Sequence, residues 1–268
     1  MLRLTPLDAA ASNNENPEVV KVLLDAGADI ETRSYRGDTP LHIAAGWNEN
    51  PEIVKALLDA GVGIEARDYR GQTPLHNAAT RGKNPEVVKV LLDAGADTEV
   101  MNNNGITPLH NAAKWNENPE VVKVLLDAGA DIENWNNSGD TLLHSAAHNE
   151  NPEIVKLVLD TGADIEARDS IGRTPLNDAV WFNKNPEVIK VLLDNGADTE
   201  VRNTFIGRTP LHDAVWFNKN SEVVKVLLDA GANMKAKTRD GKLSIDLIEE
   251  DSPLYETDVY WRLHDARF

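Results

Sequence analysis

The chain has 268 residues, 41% hydrophobic and 26% charged, enough for one large domain or two ordinary ones. It has no cysteine, which excludes disulfides and thiolate metal sites, and no run of about 18 apolar residues, so no membrane-spanning helix is read. A formal charge of −17 argues against broad nucleic-acid or anionic-membrane binding.

In chain order, one phrase returns at a nearly fixed step. It reads TPLDAA at Thr5, TPLHIAA at Thr39, TPLHNAA at Thr73 and Thr107, TLLHSAA at Thr141, TPLNDAV at Thr174 and TPLHDAV at Thr209. A degenerate copy, LSIDLIE, begins at Leu243. The steps are 34, 34, 34, 34, 33, 35 and 34 residues. A second phrase, NENPEVVKVLLDAGAD, occurs unchanged at Asn14–Asp29 and Asn116–Asp131. Such a period means a stack of similar units.

Within a unit the elements follow from local chemistry. Thr39 is placed to cap a helix whose first residue, Pro40, needs no backbone N–H. Leu41, Ala44 and Ala45 give that short helix a small-residue face. Asn50–Pro51 repeats the signal, and Ile53, Val54, Leu57 and Leu58 follow at helical spacing. Gly61 ends the second helix. The stretch to Arg70–Gly71 carries turn chemistry and leads to the next Thr-Pro. Helices of about ten residues are marginal alone, so each unit needs a neighbour to bury its apolar side chains.

The TPLHxAA phrase, the VVKVLL run, the GAD turn and the glycine before the next Thr-Pro resemble the ankyrin repeat. The resemblance covers residues 5–268, with repeats beginning near 5, 39, 73, 107, 141, 174 and 209 and a terminal cap over 243–268. It implies an all-α solenoid of stacked helix-loop-helix units with hairpin-like turns, read as one domain over 1–268. It further implies that inner helices and turn tips line a concave side that binds protein rather than catalysing a reaction. Two departures stand out. Most repeats have 34 residues instead of the usual 33, the extra one lying between the helices in forms such as WNENPE. Glu31, Glu65, Glu99, Glu133, Glu166 and Glu200 replace the usual asparagine after the GAD turn, a site of hydroxylation in the family, so that modification is not expected.

Interhelix loops, second helices and GAD segments together carry −19 and the terminal region −5, which leaves the inner helices and tips at +7. An acidic outer surface backing a mildly basic face is therefore expected, too dispersed to read as a nucleic-acid groove. Differences between copied units mark the candidate partner-binding residues. At the tips these are Tyr35, Arg36, Tyr69, Arg70, Arg173, Phe205, Ile206 and Arg208. At the inner-helix ends they are Trp47, Arg81, Trp115, Trp181, Phe182, Trp216 and Phe217. Tyr, Trp and Arg dominate protein interfaces, although the Trp and Phe positions could instead fill space beside the enlarged loop. DAVWFNKN occurs only at Asp178–Asn185 and Asp213–Asn220, which singles out repeats six and seven and places Trp181 and Trp216 side by side.

Other constellations are discounted. His42, His76, His110, His144 and His212 recur about 10 Å apart, the distance between packed helices, too far to share an ion, and the family gives this histidine a local hydrogen-bonding role. His148 and His264 have no ligand-spaced partner. Arg33, Arg67, Arg168 and Arg202 read as a solvated edge. No catalytic residue, cofactor or metal is expected, and no nucleotide or hydrolase motif is found. Leu2 and Leu4 are candidates to cover the first helix unless the chain is a piece of a longer one. The helix-like ETDVYWRLHDARF is read as a cap, or as a docking helix. The functional expectation is a monomeric, cytoplasmic, non-enzymatic module for a protein or peptide partner, with no nucleic acid and no membrane. The alternatives are a structural or designed scaffold, a domain excised from a larger chain, a metal-dependent enzyme and, for location, a secreted effector.

Overall fold

The computed structural model describes residues 5–204 and 206–268, so Leu2, Leu4 and Phe205 lie outside the described residues. The contacts divide it into two compact units, one ending at Asn137 and the other running from Ser138 to Phe268.

The first unit holds four helix pairs. Its inner helices are α1 (Pro6–Asn13), α3 (Pro40–Trp47), α5 (Pro74–Arg81) and α7 (Pro108–Trp115); its outer helices are α2 (Pro17–Asp25), α4 (Pro51–Asp59), α6 (Pro85–Asp93) and α8 (Pro119–Asp127). Each inner helix packs on the next inner helix, and each outer helix on the next outer one. The second unit repeats the plan with inner α9 (Leu142–Ala147), α11 (Pro175–Phe182) and α13 (Pro210–Asp213), and outer α10 (Pro152–Asp160), α12 (Pro186–Asp194) and α14 (Ser221–Asp229). A 3₁₀ turn at Ser244–Leu247 stands where the degenerate eighth copy begins, and α15 (Asp258–Asp265) packs on α14. Arg262 holds α15 to Asp229 at 2.7 Å, and Arg267 pairs with Asp246.

The caps form as their chemistry requires. Asn16, Asn50, Asn84 and Asn118 each accept the N–H of the glutamate two residues on. Behind them, Leu41, Leu75 and Leu109 of the inner helices and Leu57, Leu91 and Leu125 of the outer ones are fully buried. Each such side chain contributes roughly 1.5–3 kcal/mol through removal from water.

Hydrogen bonds then stitch one repeat to the next. In His42, Nδ1 accepts from Thr39 N at 3.2 Å, so the ring proton sits on Nε2, which donates to Gln72 O at 3.0 Å. His76, His144 and His212 repeat this arrangement, reaching Ile106 O, Arg173 O and Lys242 O. The glutamate that replaces asparagine has a comparable role: Glu31 Oε1 accepts from Gly63 N, Glu65 from Asp97 N and Glu166 from Asp198 N, at 2.8–3.0 Å. The arginine column lies on the exposed edge expected of it, and from there it also bridges repeats. Arg33 donates to Arg67 O at 2.7 Å, Arg67 to Met101 O at 3.0 Å and Arg202 to Lys237 O at 2.6 Å.

The enlarged interhelix loop adds a ladder of asparagines. Asn48 Nδ2 donates to Ala11 O and Asn14 O, Asn116 to Ala79 O and Gly82 O, and Asn183 to Ala147 O and Asn149 O. The tips come equally close. A Cβ on Gly71, at φ +76°, would stand 3.0 Å from Asn103 N, so both its backbone conformation and the approach of the next tip call for glycine.

The seam between repeats six and seven is stitched differently. Asn177 takes the histidine position in repeat six. Its Oδ1 accepts from Thr174, but the shorter side chain leaves Nδ2 buried without a hydrogen-bond partner. Arg168 bonds only to its own tip, at Gly172 O. Beyond this seam the inner helix widens into a π-helical turn, Ala214–Asn218, closed by Lys219 in the left-handed region at φ 57°.

Candidate functional site

Along the first unit, the capped inner helices deliver their last side chains to the surface. Trp47 and Trp115 are 62% and 60% exposed, and the Arg81 guanidinium lies 5.1 Å from the Trp47 ring centre. Together with Thr80, Lys83 and Asn116 they line an open groove. At the tips Tyr35 and Tyr69 are exposed, Arg36 lies over the Tyr35 ring at 5.2 Å, and Tyr69 N–H donates to Arg36 O. Arg70 contributes its carbonyl to Asn103 N.

The second unit gathers a denser cluster. Trp181 packs 4.5 Å from Phe217 and 5.9 Å from Phe182, ring centre to ring centre. Phe182 in turn stacks on His148 at 4.6 Å. Phe182 and Phe217 are 52% and 43% exposed, whereas Trp181 and Trp216 are half-buried. Trp181 and Trp216 therefore serve partly as packing, and the phenylalanines present the open faces. Ile206 is exposed at the tip.

Each arginine covers rings. Arg173 lies 5.6 Å from the Trp181 ring and 6.0 Å from Phe182; Arg208 lies 5.4 Å from Trp216 and 5.3 Å from Phe217. Beneath each arginine is a buried aspartate. Arg173 Nη1 is 3.1 Å from Asp178, its Nε donates to Asp169 at 2.7 Å, and His148 Nε2 is 3.2 Å from the other Asp178 oxygen. Arg173 is thus held from two sides, by a hydrogen bond to Asp169 and by the charge of Asp178, whose near oxygen is short of hydrogen-bond geometry.

Arg208 is held less firmly. Its counterpart of Asp169 is Asn203, whose Oδ1 is spent on the N–H groups of Ile206 and Gly207. The nearest Asp213 oxygen is 3.9 Å away. Burial consequently pushes the Asp213 carboxyl up to about 6. The Trp181 indole N–H beside it, short of hydrogen-bond geometry, and Arg208 offset only part of that cost.

His148, Asp178 and Asp213 belong to this cluster, although only the aromatics and arginines stand out in the sequence. A signal was present. Repeats six and seven put arginine just before Thr-Pro and aspartate five residues later, where the other repeats have neither together. A charge pair introduced at one spacing in two neighbouring units marks a local specialisation. His148 has no such signature, because stacking on Phe182 comes from the adjoining repeat.

Among the described residues, no three histidine or acidic side chains converge as a metal site. In His42, His76, His144 and His212 both ring nitrogens are already engaged. No helix among the described residues is long and apolar enough to cross a membrane.

A family model described as ankyrin repeats in three copies matches in overlapping windows over residues 7–102, 41–136, 78–169, 109–203 and 170–238. Among solved structures, the crystal structure of the human ASB11 ankyrin repeat domain is similar. It is 28% identical, with a TM-score of 0.73 over 85% of this chain and 98% of that one. A search of curated proteins returns no match.

Proposed function

Because the chain belongs to the ankyrin repeat family, whose domains generally serve protein–protein interaction and are typically non-enzymatic, we propose that it holds a protein or peptide partner on its inner-helix ends and turn tips. The observation that carries this reading is the cluster in the second unit. Phe182 and Phe217 stand half in solvent on a base of Trp181, Arg173 and Arg208 whose packing is already made. Aromatic and arginine side chains ordered before binding lose little entropy on contact, which is the property of interface hot spots. The Trp47–Arg81–Trp115 groove in the first unit is a further contact region of the same kind.

The test is affinity capture by the intact chain and by a Phe182→Ala/Phe217→Ala variant, followed by titration of the captured partner. The pair is expected to cost at least about 2 kcal/mol of binding, the hot-spot scale, with the helical signal of the chain unchanged. A partner bound equally by both proteins would move the contact away from this cluster.

A further inference from the structure

The cluster in the second unit has a sign, and the sign restricts what can dock there. Each of its rings already has a cation of the chain beside it, so a second cation would meet like charge. Arg173 lies over Trp181 and Phe182, and Arg208 over Trp216 and Phe217. The carboxylates that could recruit a basic partner are out of reach, since Asp169, Asp178 and Asp213 are buried, the first two directly against Arg173. Over the inner-helix and tip segments 168–184, 202–219 and 237–242 there are nine lysines and arginines against four aspartates, three of them buried. Lys184 and Lys219 are exposed, one just past Phe182 and one just past Phe217 in sequence.

The two arginines differ in what they can still offer. Arg173 is clamped by two aspartates, while Arg208 has one carboxylate at 3.9 Å and no second acid at its tip. The Arg208 side chain is 14% exposed, and through that edge its unspent guanidinium donors can donate to a carboxylate.

Resting on the reading of this cluster as the binding surface, we propose that its partner is an acidic peptide segment. An apolar side chain of that segment packs on Phe182 and Phe217, and an adjacent carboxylate pairs with Arg208. Lys184 and Lys219 add attraction that is screened by salt. A basic segment meets like charge from the arginines and lysines, so it is rejected.

Short random peptides displayed on phage, selected on the intact chain and counter-selected on the Phe182→Ala/Phe217→Ala variant, test this. The expected winners carry Asp or Glu next to a large apolar residue. Their affinity should fall about tenfold in Arg208→Gln, less in Arg208→Lys, and severalfold as salt rises from about 0.05 M to about 0.3 M. Circular dichroism of each variant separates loss of binding from loss of fold. Winners that need the two phenylalanines but are basic or uncharged would overturn the acidic assignment and leave the surface reading standing. Failure to select any peptide that depends on the phenylalanines would remove the surface reading itself. A single-stranded DNA oligonucleotide that competes as well as the acidic peptide, through Arg208, would replace a peptide partner by a nucleic acid.

Discussion

Asp213 and three of the column histidines, His42, His76 and His212, respond to pH in opposite senses, and the reason is the same burial acting on opposite charges. The folded chain holds the Asp213 carboxyl at about 6, above its ordinary value of 3.8. Between those values the folded state binds more protons than the unfolded one, so this group's contribution to stability falls as pH rises. Asp213→Asn removes that slope. Relative to the parent, the variant should gain on the order of 2–3 kcal/mol as pH goes from about 4 to about 6, read by urea denaturation across the range. A constant difference would mean that Asp213 titrates normally. His76 runs the other way. Burial lowers its pKa from 6.5 to about 4, and burial likewise lowers those of His42 and His212. The unfolded chain takes up these protons first, so the stability that the neutral rings supply above pH 6.5 is lost as pH falls towards about 4. NMR titration should find the His76 ring still neutral at pH 5, and a midpoint near 6.5 would contradict the buried, neutral ring.

At the scale of the element, each repeat is held by side chains that bridge to its neighbour, and the joint between repeats six and seven lacks the histidine bridge. Asn177 leaves a buried Nδ2 without a partner where His42 and His76 reach the next carbonyl. Asn177→His should restore a bond to the carbonyl of Arg208 and raise stability by about 0.5–1.5 kcal/mol, the net worth of one hydrogen bond. The change would appear as a higher denaturation midpoint with an unchanged slope against denaturant. A lower midpoint would show that the ring does not fit this seam. Leu125 tests the outer helices. It is fully buried in α8, and Leu125→Ala should cost about 2–5 kcal/mol, from lost transfer energy plus the cavity left behind. A midpoint equal to that of the parent would put Leu125 on the wrong face.

For the whole molecule, the unbroken period leads us to propose a single repeat domain, whereas the contacts cluster into units divided at Asn137 and Ser138. Fluorescence distinguishes the cases. One domain predicts that tryptophans of the first unit, such as Trp47, and of the second, such as Trp181, report one denaturation midpoint. Two separated midpoints would make residues 137–138 a domain boundary. Replacing all tryptophans but one by phenylalanine isolates each signal.

The period, the caps and the small-residue helix face could be read from the letters, because each depends on chemistry within about four residues, such as Thr before Pro or Gly after a helix. Stacking followed, since helices this short need a neighbour. The bridging roles of Glu31 and Arg33 were not legible, because their partners, Gly63 N and Arg67 O, lie about one repeat away and accept or donate only once the repeats are packed. DAVWFNKN shows the limit most clearly. The same eight residues stay α-helical through Phe182 in one copy and widen into a π turn ending at Lys219 in the other. The aspartates diverge as well: Asp178 meets His148 and a pinned Arg173, while Asp213 meets an arginine left at 3.9 Å by Asn203. The sequence by itself determined the repeat, its helices and the residue types at their ends. Which rings are open, which carboxyl is strained towards its neutral form and which arginine keeps spare donors were decided by the tertiary structure, because each depends on the repeat next door.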